Sequence, residues 1–385
     1  MKKIVEKHLC SGCHACASVC PKQCIEMKVD NEGFLYPEID ETACIDCGKC
    51  KQTCPVLKNE IKSDDVPKAY AMYNKNEDIR LKSSSGGVFA LLAEQTLSKG
   101  GIVFGAAFTD GFRAVKHIAV ESLVELPRLM GSKYLQSEIG DSYVRARKYL
   151  EDGRQVLFTG TPCQISGLYA YLNKDYDNLF TQDIICHGVP SPMVWEKYVK
   201  FREAQAASTT RRTFFRHKKY GWKTFSVQFE FTNCTEYVQD LSKDLYMRGF
   251  LVNLFLRPSC HNCSFKQLHR QSDLTIADFW GVQNILPEFD DDKGTSLVIV
   301  HSHKGEQLLE QIKDNLIWTE TNTPSAVSYN SAMLNSVAPH PKREEFFNEL
   351  DTVQFDSLIN KYAVTKRTVK SIGKSVLRKI KKLVK

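Results

Sequence analysis

The sequence predicts a small α+β module followed by a larger α/β domain whose sheet is mainly parallel or mixed. Three observations carry this expectation. One cysteine run occurs twice within the first 57 residues, strand and helix patterns alternate from residue 68 onward, and two later cysteines fall where such strands end. The chain has 385 residues, enough for more than one core, and 42% of them are apolar. It has no apolar run long enough to span a membrane. The basic start MKKIVEKHLC lacks the apolar segment of a signal peptide, so a cytoplasmic protein is expected.

Fourteen cysteines in such a chain point to metal or redox chemistry rather than disulfides. The run CSGCHACASVCP places Cys10, Cys13, Cys16 and Cys20 in the pattern C-x2-C-x2-C-x3-C-P. CIDCGKCKQTCP repeats it with Cys44, Cys47, Cys50 and Cys54, each 34 positions later. Three close thiolates wrap one face of a [4Fe-4S] cube, and in two-cluster ferredoxins the fourth crosses to the other cube. The expected ligand sets are therefore Cys10, Cys13 and Cys16 with Cys54, and Cys44, Cys47 and Cys50 with Cys20. Zinc also takes four thiolates, but its ribbons usually space them as two separated pairs.

Residues 1–57 thus read as a ferredoxin-like module with two [4Fe-4S] clusters. Between the runs, IEMKVDNEGFLYPEID alternates polar and apolar residues around a turn at Asn31, Glu32 and Gly33, which predicts a hairpin. Cys24 stands outside the repeat and is expected to be a small buried side chain. His14, between ligands, is expected to face solvent.

Residues 58–67, KNEIKSDDVP, are charged, lack aromatics and end in proline, as a linker does. Beyond them KAYAMYN, GIVFGAAF, AVKHIAV, RQVLFTG and LFTQDIIC have strand character. SSSGGVFALLAEQTLSKGG, DSYVRARKYLEDG and QISGLYAYLNK read as helices, the first over Val88–Ser98. This alternation argues for a helix-covered sheet. The body divides into parts at 68–150 and 151–325, with a helical region at 326–365. FDDDKGTS (Phe289 to Ser296) gathers three carboxylates and reads as a solvated loop before the strand SLVIV.

Ligands of such sheets collect at the carboxyl ends of the strands. VLFTGTPC puts Cys163 in the loop after one strand, and TQDIICHG puts Cys186 at the end of the next. LRPSCHNCSF adds the isolated pair Cys260 and Cys263. The four suit a third [4Fe-4S] cluster, while the late pair alone equally suits zinc or a redox dithiol. Cys234 falls in a turn between strand-like segments.

SSSGGVFALLAE, GSKYLQS, VLFTGTPCQISGL, DIICHGVPSP, LRPSCHNCSF and DLTIADFWG occur in this order between about Lys68 and His303. In them the chain resembles the coenzyme F420 hydrogenase/dehydrogenase beta-subunit family of iron-sulfur flavoproteins. The resemblance implies a third [4Fe-4S] cluster on Cys163, Cys186, Cys260 and Cys263, and one FAD or FMN. No G-x-G-x-x-G fingerprint is present, so flavin binding rests on the resemblance. Given it, Ser84, Ser85, Gly86 and Gly87 at a helix start suit a flavin phosphate, where Ser85 would otherwise be an ordinary N-cap. Lys133 suits the anionic reduced flavin, and Gly160 and Thr161 stand beside Cys163 to hold both groups. His187, next to Cys186, is expected to play a structural part.

The expected function is an oxidoreductase. Clusters move one electron at a time and a flavin passes two, so the chain would join a redox partner protein (ferredoxin or a partner subunit) to a small-molecule substrate such as coenzyme F420 or another hydride acceptor. The alternative is an electron-transfer subunit of a larger complex, without a substrate of its own.

The net charge of +7 is concentrated in the tail 366–385, KRTVKSIGKSVLRKIKKLVK, which holds nine Lys or Arg and no acid. The remainder carries 43 basic against 45 acidic side chains. A near-neutral body without a recognition motif excludes a nucleic-acid reading. In the tail Val369, Ile372, Val376, Ile380 and Leu383 recur at three- and four-residue steps. That amphipathic pattern suits peripheral contact with an anionic membrane at its inner face, or with an acidic partner.

Overall fold

The computed structural model describes residues 3–58 and 65–363; the basic tail and most of the expected linker lie outside the described residues. The N-terminal module is built on an antiparallel hairpin of β1 (Ile25–Val29) and β2 (Leu35–Ile39), with Ile25 opposite Ile39 and Val29 opposite Leu35. Its turn is closed by Asp30, whose carboxylate accepts from the backbone of Glu32 and Phe34, while Gly33 supplies the left-handed residue at φ +86°. Two short helices, Ala15–Val19 and Lys49–Gln52, follow the two cysteine loops and pack on each other.

The body carries β3 (Lys68–Asn74), β4 (Ile102–Phe108), β5 (Val115–Val120), β6 (Ser137–Glu138), β7 (Val156–Thr159) and β8 (Leu179–Ile184). These are followed by β9 (Thr210–His217), β10 (Ser226–Phe231), β11 (Glu236–Asp240), β12 (Leu274–Asp278), β13 (Ser296–Val300) and β14 (Leu316–Thr321). Nine of them form one sheet in the order β14-β3-β13-β12-β8-β7-β4-β5-β6. The central strands β12, β8, β7 and β4 are parallel, and the outer pairings are antiparallel except for β5-β6. The sheet is therefore mixed. A central strand covered on both faces reads as a near-continuous apolar run, as β7 does, where Val156, Leu157 and Phe158 are fully buried. The helices Val88–Ser98, Ser142–Glu151 and Pro162–Leu172 supply the cover.

The strands β9 to β11 form a second, antiparallel sheet that the sequence pattern does not announce beyond the turn at Cys234, φ +67°. It packs with the helix Pro192–Ala206 and the C-terminal helices Arg343–Glu349 and Phe355–Tyr362 around Trp195, Phe215, Phe229, Tyr246 and Phe255. Among the described residues no helix is long and apolar enough to cross a membrane.

The module is seated on the body. Arg343 forks onto the Glu32 carboxylate at 2.6 and 2.5 Å, and Gly167 of the helix Pro162–Leu172 faces Cys13 so closely that an added Cβ would lie 3.0 Å from its Cβ. One expectation fails here. His14 does not face solvent; it is 4% exposed, because the body covers this side of the module.

Candidate iron-sulfur centres and the adjoining strand edge

The duplicated cysteine loops share a backbone as well as a spacing. Gly12 and His14 are left-handed at φ +68° and +65°, and the residues 34 positions later, Asp46 and Gly48, are left-handed at +58° and +72°. Repeated reversals of this kind curl the chain so that successive cysteines point to one centre. The result is two cavities. One is walled by Cys10, Cys13, Cys16 and Cys54. The other is walled by Cys20, Cys44, Cys47 and Cys50. Each fourth cysteine comes from the opposite run. Cys24 is buried, and its thiol also lines the second cavity, 3.4 Å from the Cys20 sulfur.

The two cavities differ in surroundings. The first lies against the body, and burial pushes the Cys13 thiol up to about 12 and Cys16 well above the ordinary thiol range. The second opens outward at the exposed Cys47 and Ile45, between Lys3, Lys22, Lys49 and Lys51, with Asp46 the one acid in its wall.

A third cavity gathers the remaining pattern cysteines: Cys163, Cys186, Cys260 and Cys263 all line it. Cys163 is not in a loop but in the first turn of the helix Pro162–Leu172, because that helix starts two residues earlier than its apolar pattern indicates. Thr161 caps this helix, its backbone N–H donating to the Gln164 side chain, and its hydroxyl lies 3.1 Å from the Cys163 sulfur. Cys186 follows β8 by two residues, and Cys260 sits in a short 3-10 turn that Cys263 ends. The backbone N–H of Val189 donates to the Cys260 sulfur at 3.3 Å.

The cavity wall contains no carboxylate and two cations, Lys266 and Arg270, the latter 3.8 Å from the buried Asp183. Burial, then the proximity of the other thiols, holds Cys163 well above the thiol range and pushes Cys260 to about 12. Thiols held this high ionise together only when a metal supplies the charge. Among the described residues no group of three or more His, Cys, Asp or Glu is drawn tightly enough to hold a single ion. Zinc, with Zn–S of about 2.3 Å, needs its four sulfurs within about 4 Å of each other. A four-iron cube takes one thiolate at each iron corner and so spaces them more widely.

The first and third cavities adjoin. Ser11 lines both. Cys163 and the Cys13-facing Gly167 lie four residues apart on one helix, about 6 Å along its axis.

The segments assigned to flavin meet at the same carboxyl edge of the sheet. The Ser84 hydroxyl accepts from the backbone N–H and hydroxyl of Ser132, both at 2.8 Å, which joins SSSGG to GSKYLQS. Ser85 donates to the Thr295 carbonyl, and the Gly86 N–H donates to Ser296. Ser85 is not the N-cap. That position belongs to Gly87, at φ +83°, and no side chain caps the helix Val88–Ser98, so its first N–H groups have no side-chain acceptor. Lys133 spends its three donors on the carbonyls of Arg128, Leu129 and Met130, and burial lowers its ammonium to about 7. Gly160 donates its N–H to the Gln182 carbonyl, and Thr161 is engaged with Gln164 and Cys163.

Sequence reasoning missed Arg216, which is buried beside this edge. It donates to Asp278 at 2.8 Å, lies 3.9 Å over the Phe225 ring, and leaves its Nε without a partner. Asp278 also accepts from Trp222, whose ring stacks on Trp280 at 4.9 Å. Asp278 and Trp280 stand in the quoted segment DLTIADFWG, so half of this group carried a signal. The carboxylates of FDDDKGTS are consumed structurally: Asp291 forks Arg80, and Asp290 and Asp292 hold Lys223. His187 lines the third cavity and pairs with Asn253 at 2.7 Å.

Comparison with known proteins bears on the family resemblance and on the N-terminal module. Residues 153–325 match the family described as the C terminus of the coenzyme F420 hydrogenase/dehydrogenase beta subunit. Residues 9–57 match the 4Fe-4S dicluster domain, so the N-terminal module is an iron-sulfur module. A chain in the solved structure titled xenon derivatization of the F420-reducing [NiFe] hydrogenase complex from Methanosarcina barkeri is 16% identical, over 70% of this chain and 93% of that one, with a TM-score of 0.46. No curated protein matches the chain. The beta-subunit match and the dicluster module together support an electron-transfer oxidoreductase.

Proposed function

We propose that this chain passes electrons from a one-electron protein donor through three [4Fe-4S] clusters to a flavin, and thence to a hydride-accepting substrate, coenzyme F420 or a similar acceptor. The observation that carries this reading is the third cavity: four cysteines from three distant segments, walled by cations, one helical turn from the first cluster's Cys13. The surroundings order the relay. The exposed, lysine-rimmed cluster on Cys20, Cys44, Cys47 and Cys50 is the outer one, and that on Cys10, Cys13, Cys16 and Cys54 adjoins the body cluster.

The flavin, when bound, supplies the conversion between single electrons and a hydride. The uncapped start of the helix Val88–Ser98 and the unpartnered Nε of Arg216 support a phosphate or flavin edge there. Lys133 would have to leave its three carbonyls to join it.

Anaerobic purification with counts of iron, acid-labile sulfide and released flavin tests this proposal. About twelve irons and one flavin per chain are expected, falling to about eight irons in Cys260→Ser/Cys263→Ser. Eight irons with zinc and no flavin would overturn it. Reduction of coenzyme F420 or an artificial hydride acceptor by the isolated chain separates an enzyme from a subunit without its own substrate.

A further inference from the structure

Arg257 is 0% exposed, yet among the described residues no carboxylate forms an ion pair with it. Its Nε donates to the Cys10 carbonyl at 2.8 Å, Nη1 to the Gln136 side-chain oxygen at 2.9 Å, and Nη2 to the Leu35 carbonyl at 2.9 Å. The acids at the nearby hairpin turn are engaged elsewhere, Asp30 with Lys7 and Glu32 with Arg343. The Tyr36 and Phe34 rings lie 4.1 and 5.4 Å from the guanidinium carbon, but rings offer a quadrupole and no net charge. Arginine does not shed its proton in proteins, and a buried charge without a counter-charge is strongly disfavoured. The described residues supply the cation here and not the anion.

The position of the guanidinium says where the anion belongs. It lies against Gly12, between Cys10 and Cys13, where an added Cβ would come 3.0 Å from its Cζ. On the other side the Arg257 carbonyl accepts from the Cys260 N–H at 2.9 Å, so the residue also frames the third cavity. Four thiolates on a [4Fe-4S] core carry net negative charge, and reduction adds more.

We propose that Arg257 is the shared counter-ion of two clusters, those on Cys10, Cys13, Cys16, Cys54 and on Cys163, Cys186, Cys260, Cys263; this rests on the cluster assignment above. It is a positioning residue: it makes no bond to iron, stays protonated throughout, and stabilises the reduced form of both neighbours while the electron passes between them. The same contacts to Cys10 and Leu35 tie the module to the body, which holds the two clusters at a fixed separation.

The test uses the full chain, purified anaerobically, as Arg257→Gln and Arg257→Lys. Midpoint potentials of each cluster are read by redox titration followed by electron paramagnetic resonance, with iron counts in parallel. Arg257→Gln is expected to shift the inner and body clusters to more negative potential and leave the outer cluster, the internal reference, where it was. Arg257→Lys is expected to stay near the parent values. Three unmoved potentials, or three equal shifts, overturn the proposal. If Arg257→Gln does not accumulate, Arg257→Lys decides, because a fall in either inner potential while the charge is kept also overturns it. Eight irons in the parent protein would remove the third cluster and not Arg257; the shift must then appear on the Cys10 cluster alone.

Discussion

The two halves of the N-terminal module have the same cysteine spacing and the same left-handed turns, yet they occupy different environments. The half around Cys13 is pressed onto a body helix, and His14 is buried with its Nε2 unpartnered. The half around Cys47 keeps an open rim where Gly48 takes the place of His14. Duplication therefore specifies a pair of equivalent cluster cages, and what each cage packs against assigns its role. An inner cage needs tight, dry contact for transfer within the chain. An outer cage needs access for a partner.

Acid should break this comparison most strongly, on the inner side. His117 is buried on the body's side of this contact, its Nε2 2.9 Å from the Thr159 carbonyl, its Nδ1 2.9 Å from the Ser137 hydroxyl, and Ser137 in turn bonded to Gln164 of the helix that faces Cys13. Burial holds its pKa at about 4. The fold therefore keeps it neutral, while the unfolded chain takes up a proton below about 6.5. The stability tied to this neutral form is complete above pH 6.5 and is lost as pH falls toward 4, by about 3 kcal/mol in total. Denaturant titrations across this window should show a shallower acid slope in His117→Gln than in the parent. Equal slopes would remove His117 from the acid sensitivity.

Access is tested at the outer rim. Lys22, Lys49 and Lys51 are exposed and form no ion pair among the described residues. A positive rim of this kind steers an acidic one-electron carrier and acts on the association rate. Lys22→Glu/Lys49→Glu/Lys51→Glu is expected to lower kcat/KM for reduction by an acidic ferredoxin about 10- to 100-fold at low salt, with the gap closing as salt rises. Reduction by dithionite should be unchanged. A salt-independent loss would place the defect in the cage and not in docking.

How far the sequence reached follows the same division. The two groups of four cysteines that line common cavities in the module were legible because spacing and a 34-residue repeat are local properties, and the helix Val88–Ser98 and the strands β3, β7 and β8 because each has its own apolar period. His14, Arg257 and Arg216 were not legible. Their states depend on what a second segment brings to them, and a lone basic side chain looks the same on a surface as it does between two cages. The sheet β9-β10-β11 was legible only around the turn at Cys234, where Val227, Phe229 and Phe231 alternate with polar residues; its place in the fold was not, because its core is completed in part by helices more than a hundred residues later. The start of the helix at Cys163 was placed two residues late, since Pro162 at its first position is a helix-start signal that an apolar period does not register.

That last misplacement leads to the smallest predicted effect. Thr161 performs two tasks at the proposed body cluster, capping the helix that presents Cys163 and placing its hydroxyl 3.1 Å from the Cys163 sulfur. Loss of the cap in Thr161→Ala should cost about 1 kcal/mol of stability. Loss of the hydroxyl removes a hydrogen bond that favours the more negative, reduced cluster, so the body cluster should shift to more negative potential. Thr161→Ser keeps both the cap and the hydroxyl and should restore both readouts. The inner cluster, whose Cys13 faces Gly167 one turn further along the same helix but lacks this hydroxyl, should not move. If it moves with the body cluster, the two are coupled through the helix backbone, and the separation between cage and surroundings drawn from the duplicated module would not extend to the third site.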